Sequence, residues 1–156
     1  MKQLILIFTA AALAMITGCS SAPVTGVVSG KGLHPCPGSP NCVSSQSGND
    51  TQRIDPLVYE GTREKALERL RAIVVDMGNA RIVSDESDYL HAEFKSKWFR
   101  FIDDVEFWFP ESDGQGSGQG IIHIRSASRV GYSDLGVNRE RMEQIRTLFR
   151  KSGASM

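Results

Sequence analysis

Apolar residues recur at helical spacing between Thr62 and Gly78. One face of that segment carries Ala66, Leu67, Leu70, Ile73, Val74 and Met77. Charged residues occupy the opposite face, threonine is a favoured helix N-cap, and glycine often ends a helix. The pattern therefore predicts an amphipathic helix that packs one face against a sheet.

Alternating apolar and polar residues predict strands on either side of this helix. The clearest alternation covers residues 89–95, where Leu90, Ala92 and Phe94 share one side. Weaker strand patterns lie at residues 57–59, 80–84, 104–109 and 122–125. The four segments that follow the helix indicate an antiparallel sheet of about four strands.

A second amphipathic helix is predicted near the carboxyl end, with Asn138 as its N-cap. Its apolar face carries Met142, Ile145, Leu148 and Phe149. Helices that flank a run of strands favour an α+β domain over residues 54–151. We expect a two-layer sandwich in which the sheet packs against both helices.

The longest apolar run lies at the amino end, over residues 4–16, and follows the positively charged Lys2. About 13 apolar residues are too few to cross a hydrocarbon core of roughly 30 Å, so residues 1–18 are interpreted as a signal peptide. The ending Ile16-Thr17-Gly18-Cys19 resembles the lipobox of bacterial lipoproteins. That resemblance implies cleavage after Gly18 and lipid on Cys19, including palmitate; the alternative is an ordinary signal peptide with a chance cysteine.

The lipoprotein resemblance also implies where in the cell the protein is located. Ser20 stands where an aspartate would favour retention in the inner membrane, so we expect a periplasm-facing protein on the outer membrane rather than the inner one. Residues 19–33 are small and polar, and we interpret them as the lipidated cysteine and a flexible tether with a reach of roughly 20 Å.

Charge narrows the range of partners. The chain has 18 basic and 18 acidic residues, and removal of residues 1–18 takes away Lys2 alone among them. Such a nearly neutral chain lacks the excess of positive charge that nucleic-acid-binding proteins carry, and it lacks the cluster of basic residues that binds anionic lipids. We therefore expect the membrane to be reached through the lipid on Cys19. The sequence has no phosphate-binding or redox motif, so no cofactor is expected.

Cys36 and Cys42 lie in residues 34–53, a loop rich in proline followed by a polar segment. In an exported protein a disulfide is the default for such a pair. Two free thiols, or a zinc site that also uses His34, remain alternatives at this stage.

Three segments resemble the domain-of-unknown-function 1499 family. They are Cys36-Pro-Gly-Ser-Pro-Asn-Cys-Val-Ser-Ser45, Phe99-Arg-Phe-Ile-Asp-Asp-Val-Glu-Phe107 and Arg125-Ser-Ala-Ser-Arg-Val-Gly-Tyr-Ser-Asp-Leu-Gly-Val-Asn-Arg-Glu-Arg141. The likeness spans residues 33–151 in the right order. It implies a shared fold and domain extent, and no activity, because the family has no established one.

The third segment is rich in arginine and holds Arg125, Arg129, Arg139 and Arg141. Guanidinium groups near a helix N-terminus suit a carboxylate or phosphate, and we treat these four as candidate anion-binding residues. The candidate supporting residues are Asp103, Asp104, Asp134 and Asn138. The alternative is a lattice of ion pairs that pins the loop between the last strand and the last helix.

A second, weaker constellation would lie on the polar side of the sheet. The alternating pattern places His91, Glu93, Glu106 and His123 on the same side of their strands. Imidazole and carboxylate groups ligate metal ions and act in acid–base catalysis. A one-residue change of register would separate them.

The sequence thus favours a noncatalytic, lipid-anchored module that binds an anionic component of the cell envelope. The first alternative is a protein-interaction or scaffold factor that uses the outer face of the sheet. A hydrolase that uses His91 and His123 is the third hypothesis.

Overall fold

The computed structural model describes residues 24–96, 100–111 and 118–153; the candidate signal peptide and Cys19 lie outside them. The described residues form eight strands and two helices. The strands are β1 (Val27–Val28), β2 (Gly32–Leu33), β3 (Cys42–Ser44), β4 (Leu57–Glu60), β5 (Ala80–Asp85), β6 (Tyr89–Lys95), β7 (Ile102–Trp108) and β8 (Gln119–Ser128). The helices are α1 (Arg63–Asp76) and α2 (Val137–Gly153).

Helix α1 begins and ends where the sequence predicts. The Thr62 side chain accepts a hydrogen bond from the Lys65 amide, which satisfies one of the free donors of the first turn. At the other end Gly78 takes a φ of 74°, a conformation that favours glycine. The buried face holds Ala66, Leu67, Leu70, Ile73 and Val74.

The main sheet has the order β3-β8-β7-β6-β5, and β4 adds a sixth strand by pairing with β8. All pairings are antiparallel. Strand β8 is long enough to pair with β3 near its carboxyl end and with β4 near its amino end. The fold is therefore α+β with an antiparallel sheet, as predicted. The sheet has six strands rather than about four, because the three-residue β3 shows no alternating pattern and the strand predicted at residues 57–59 joins the same sheet as β4.

The core lies between the helices and one face of the sheet. Its fully buried members include Leu70 of α1, Phe149 of α2 and Phe94, Phe107 and Ile124 of the strands. Burying a large apolar side chain is worth about 1.5–3 kcal/mol, so this cluster supplies most of the driving force for folding. Neither helix of the described residues is long and apolar enough to cross a bilayer.

The other face of the sheet is covered by the segment that precedes β3. Strands β1 and β2 form a small hairpin, and Leu33 packs with Tyr89 and Trp108 of the sheet. The Gly26 amide donates to Glu106 Oε1 at 2.6 Å. Gly32 and Leu33 are buried and Val27 packs with Leu33, while Val28 to Lys31 are exposed. This part of the segment predicted as a flexible tether is therefore held to the sheet by two apolar side chains.

The region before Ile54 also differs from its prediction as an irregular polar segment. It contains β3, whose residues Cys42, Val43 and Ser44 pair with Ala127, Ser126 and Arg125. The folded body therefore includes the cysteine loop.

Candidate functional site

The site is built on the sheet face that the amino-terminal segment covers. The strand register aligns His91, Glu106 and Arg125 across β6, β7 and β8. Two residues further along β6 and β7, the register aligns Glu93 with Asp104. Side chains at every second position share a face, so these polar groups come together where water has largely been removed.

Glu106 lies at the centre of this cluster and is completely buried. Its Oε2 accepts from Arg125 Nη1 at 2.5 Å, and its Oε1 accepts from the Tyr89 hydroxyl at 2.8 Å. Burial, followed by the neighbouring Glu106 charge, raises the pKa of Tyr89 far above its usual range. Tyr89 therefore remains a hydrogen-bond donor to Glu106 at any physiological pH.

Asp104 holds a second buried pair. Arg129 grips it with two parallel hydrogen bonds, Nε to Oδ2 at 2.9 Å and Nη2 to Oδ1 at 2.8 Å, and His91 Nε2 lies 2.8 Å from Oδ1. Burial by itself raises the pKa of Asp104, but the hydrogen bonds from Arg129 and His91 outweigh it, so the net shift of that pKa is downward.

Glu93 links this pair to the edge of the sheet. It accepts from Arg81 Nη2 at 2.7 Å and from Arg129 Nη2 at 2.5 Å. The hydrogen bond from Arg81, and then that from Arg129, lower the pKa of Glu93 against the opposing effect of burial. A continuous network of ion pairs and hydrogen bonds therefore runs from Arg81 to His91.

A cavity of about 550 Å³ opens above these pairs. The loop closed by the Cys36–Cys42 disulfide forms one wall of it. The polar lining residues include His34, Asn41, Asp104, Arg125 and Arg129. The disulfide confirms the pairing expected for an exported chain, and it excludes the alternatives of free thiols and of a zinc site that uses both sulfurs.

One donor of Arg125 has no hydrogen-bond partner in the part of the chain that the structure describes. The Arg125 side chain is 7% exposed, and this donor is its buried Nε. A guanidinium offers five N–H donors in a rigid fork. Buried donors normally find partners, so this one marks a place where the network is incomplete.

Of the four predicted arginines, the structure brings Arg125 and Arg129 to the cavity. Arg141 lies on the core side of the sheet, where it donates to Asp103 at 2.5 Å and lies over the Phe94 ring. Arg139 lies on the surface and donates to the backbone carbonyls of Thr51 and Arg53. The four arginines are neighbours in sequence but not in one site.

The supporting residues have different roles from those expected. Asp134 accepts from the Asn138 amide at 2.8 Å and so caps α2. Asn138 was predicted as the cap, but it is fully buried inside the first turn. There its side chain accepts from Arg141 and from Ser126 and donates to the Asn41 carbonyl, which ties α2 to the cysteine loop.

The weak metal candidates are not arranged as a metal site. His91 contacts Asp104, while His123 Nδ1 lies 3.2 Å from Ser45 Oγ and its ring stacks on Trp108. In the described part of the chain, no group of three or more histidine, cysteine, aspartate or glutamate side chains is placed to hold a metal ion.

Sequence reasoning missed several members of the site. Arg81 and Tyr89 lie outside the three family-like segments, and Asn41 lies inside the first one without having been singled out; their roles depend on strand register and on the path of the cysteine loop. Arg81 lies on β5 and Tyr89 on the neighbouring β6. A known strand register would therefore have placed Tyr89 beside Glu106 and Arg81 beside Glu93.

The comparison with protein families agrees with the resemblance seen in the three sequence segments. The family model described as "Protein of unknown function (DUF1499)" matches residues 32–149. The chain belongs to this family. The matched range contains every residue of the network from Arg81 to His91. It also contains every residue that lines the cavity except Val24. No curated protein matches the sequence.

Proposed function

We propose that this DUF1499 protein is a noncatalytic binding module, held in the cell envelope by lipid on Cys19 and facing the periplasm, on the outer membrane rather than the inner one. Its ligand is a carboxylate or phosphate group of an envelope component. The binding site is the cavity beside the disulfide loop, and Arg125 and Arg129 recognise the anion.

The observation that carries this proposal is the unused donor capacity of the two arginines. Arg125 Nε has no partner among the described residues, and the hydrogen bonds of Arg129 to described groups use Nε and Nη2, not Nη1. Carboxylates and phosphates match the guanidinium fork better than any neutral group does. Their carboxylate partners hold both forks in place, so little side-chain entropy remains to be lost on binding.

The charges of the site define how such a ligand would bind. Arg81, Arg125 and Arg129 are balanced by Glu93, Asp104 and Glu106. A balanced site attracts anions weakly over long distances, and affinity then depends on short directed hydrogen bonds. We therefore expect modest affinity that changes little with ionic strength, in contrast to a positively charged patch.

The scaffold alternative receives less support. It needs an accessible outer sheet face, and at least the centre of that face is covered: Glu106 and Asp104 are buried beneath the segment anchored by Leu33. The hydrolase alternative rests on two contacts among the described residues, that of His91 with Asp104 and that of Ser45 with His123.

The proposal is tested by nuclear magnetic resonance of the guanidinium Nε–Hε groups during titration with inorganic phosphate and, separately, acetate. We expect the signals of Arg125 and Arg129 to move in a saturable way. The signal of Arg139, which lies away from the cavity, should stay in place.

Two variants sharpen the result. Arg129→Lys keeps the charge but lacks the fork, and it should weaken phosphate binding at least about tenfold, which is the effect of roughly 1.4 kcal/mol. Arg139→Lys is the matched control and should bind like the unmodified protein. Equal shifts at all three arginines would mean nonspecific ion binding and would refute the proposed site.

A further inference from the structure

Exposed apolar side chains concentrate at one end of the molecule. Eleven large apolar residues are exposed among those described, and six of them lie at the end where β8 finishes. They are Val24, Phe101, Val130, Tyr132, Leu135 and Val137. Leu135 is 94% exposed and Tyr132 is 77% exposed. Scattered exposed apolar residues are ordinary, but a cluster of this kind usually marks a contact surface.

Four of the six belong to residues 130–137, which we call the apolar loop. The backbone of this loop is held rather than free: the Ser133 hydroxyl accepts from the Leu135 amide and Asp134 accepts from the Gly136 amide. Leu135 has a φ of 55°, a conformation that a branched residue seldom adopts. The loop therefore keeps a strained leucine that presents its side chain to the outside.

The rest of this end is fixed by the sheet. The Arg129 amide donates to the Ile102 carbonyl at 3.2 Å, which brings Phe101 to the same end as the apolar loop. Phe101 is 51% exposed. Two separate segments thus place exposed aromatic residues at the same end of the molecule.

The first described residue, Val24, also lies at this end. Val24 and Gly131 of the apolar loop line the same cavity. Four residues separate Cys19 from Val24, so the five steps between them span roughly 17 Å at most. A lipid on Cys19 would therefore hold the apolar loop close to the bilayer surface.

We infer that the apolar loop inserts Tyr132 and Leu135 into the boundary between lipid headgroups and acyl chains. This inference rests on the lipid anchor of the proposed function. Tyrosine favours that boundary because its ring is apolar and its hydroxyl polar, and leucine favours the apolar side. The contact orients the cavity relative to the membrane, with the disulfide loop beside the lipid surface.

The test places a nitroxide label on a single added cysteine, Leu135→Cys, in the lipidated protein bound to phosphatidylcholine vesicles. The Cys36–Cys42 disulfide and the modified Cys19 leave the new thiol as the reactive one. The matched control is Val58→Cys: Val58 is 51% exposed and pairs with Ile121, at the opposite end of β8. Both positions are exposed, so neither substitution disturbs the core.

The measured quantity is the ratio of label collisions with oxygen, which enters lipid, to collisions with a water-soluble nickel chelate. We expect a ratio several-fold higher at position 135 than at position 58. Equal ratios on a lipidated protein would overturn the loop contact and leave the proposed function standing. A label at 135 shielded from both reagents would mean a protein partner and would also overturn it.

The mass of the same sample separates the two proposals. A mature protein without lipid on Cys19 would refute the anchor, and the loop inference would fall with it. A lipidated mass together with a high ratio at position 135 supports both.

Discussion

The ion pair between Arg125 and Glu106 gives the sharpest test of how this fold is held together. Both side chains are buried, and Glu106 also accepts from Tyr89 and from the Gly26 amide. Glu106→Gln keeps the shape and a carbonyl acceptor for Tyr89 but removes the charge that faces Arg125. Arg125→Met removes the other charge and keeps most of the volume.

The expected magnitudes follow from the burial. Breaking a buried pair by removing one partner costs about 3–5 kcal/mol, because the remaining charge has no compensation, whereas replacing both partners is often nearly neutral. Each single variant should therefore lose about 3–5 kcal/mol of unfolding free energy, from a total of about 5–15 kcal/mol. The double variant should lose at least about 2 kcal/mol less than the sum of the singles.

Urea unfolding followed by circular dichroism measures these free energies, with the denaturant dependence checked for two-state behaviour. Hydrogen exchange adds a second readout: Glu106→Gln should speed exchange at residues 27–33 through the weakened Gly26 contact. The matched control is Arg139→Met, a surface arginine, for which we expect less than about 1 kcal/mol. Single variants that lose less than about 1 kcal/mol, or losses that add without coupling, would refute the reasoning.

Two further predictions concern acid and reducing conditions. Folding lowers the pKa of Asp104, so the group stabilises the protein above its ordinary pKa of about 3.9, and this stability is lost as the pH falls through the lowered value. In Asp104→Asn the unfolding free energy should therefore fall less steeply at acid pH than in the unmodified protein. An unchanged slope at acid pH would contradict this. Reduction of the Cys36–Cys42 disulfide, which closes a seven-residue loop, should lower the unfolding free energy by about 2.4 kcal/mol in the chain-entropy model and open one wall of the cavity. Urea unfolding of the double variant Cys36→Ser/Cys42→Ser measures this loss of free energy. No loss would mean that the prolines alone hold the loop.

The strongly periodic elements could be predicted from the sequence. Residues 89–95 match β6 to the residue, and the helix expected between Thr62 and Gly78 matches α1. The short strands could not be predicted, because β2 and β3 have two and three residues and take their structure from a partner rather than from their own pattern. The register that joins β2 to β1 and β3 to β8 has no local signature.

The candidate site shows the same division. Arginine spacing drew attention to Arg125 and Arg129, which line one cavity, but the same spacing grouped them with Arg141, which lies on the core side of the sheet. The acidic residues expected near them are present: Asp104 pairs with Arg129 and Asp103 with Arg141. What the sequence did not reveal is that Glu106 and Glu93 complete the balance of charge.

Native mass spectrometry of the mature protein, released gently from its own envelope, tests the central claim most directly. We predict a bound mass that persists in Arg139→Lys and is lost or strongly reduced in Arg129→Lys, with both variants folded. A protein that carries no bound mass, or a bound mass that Arg129→Lys retains in full, would contradict an anion-binding site at Arg125 and Arg129.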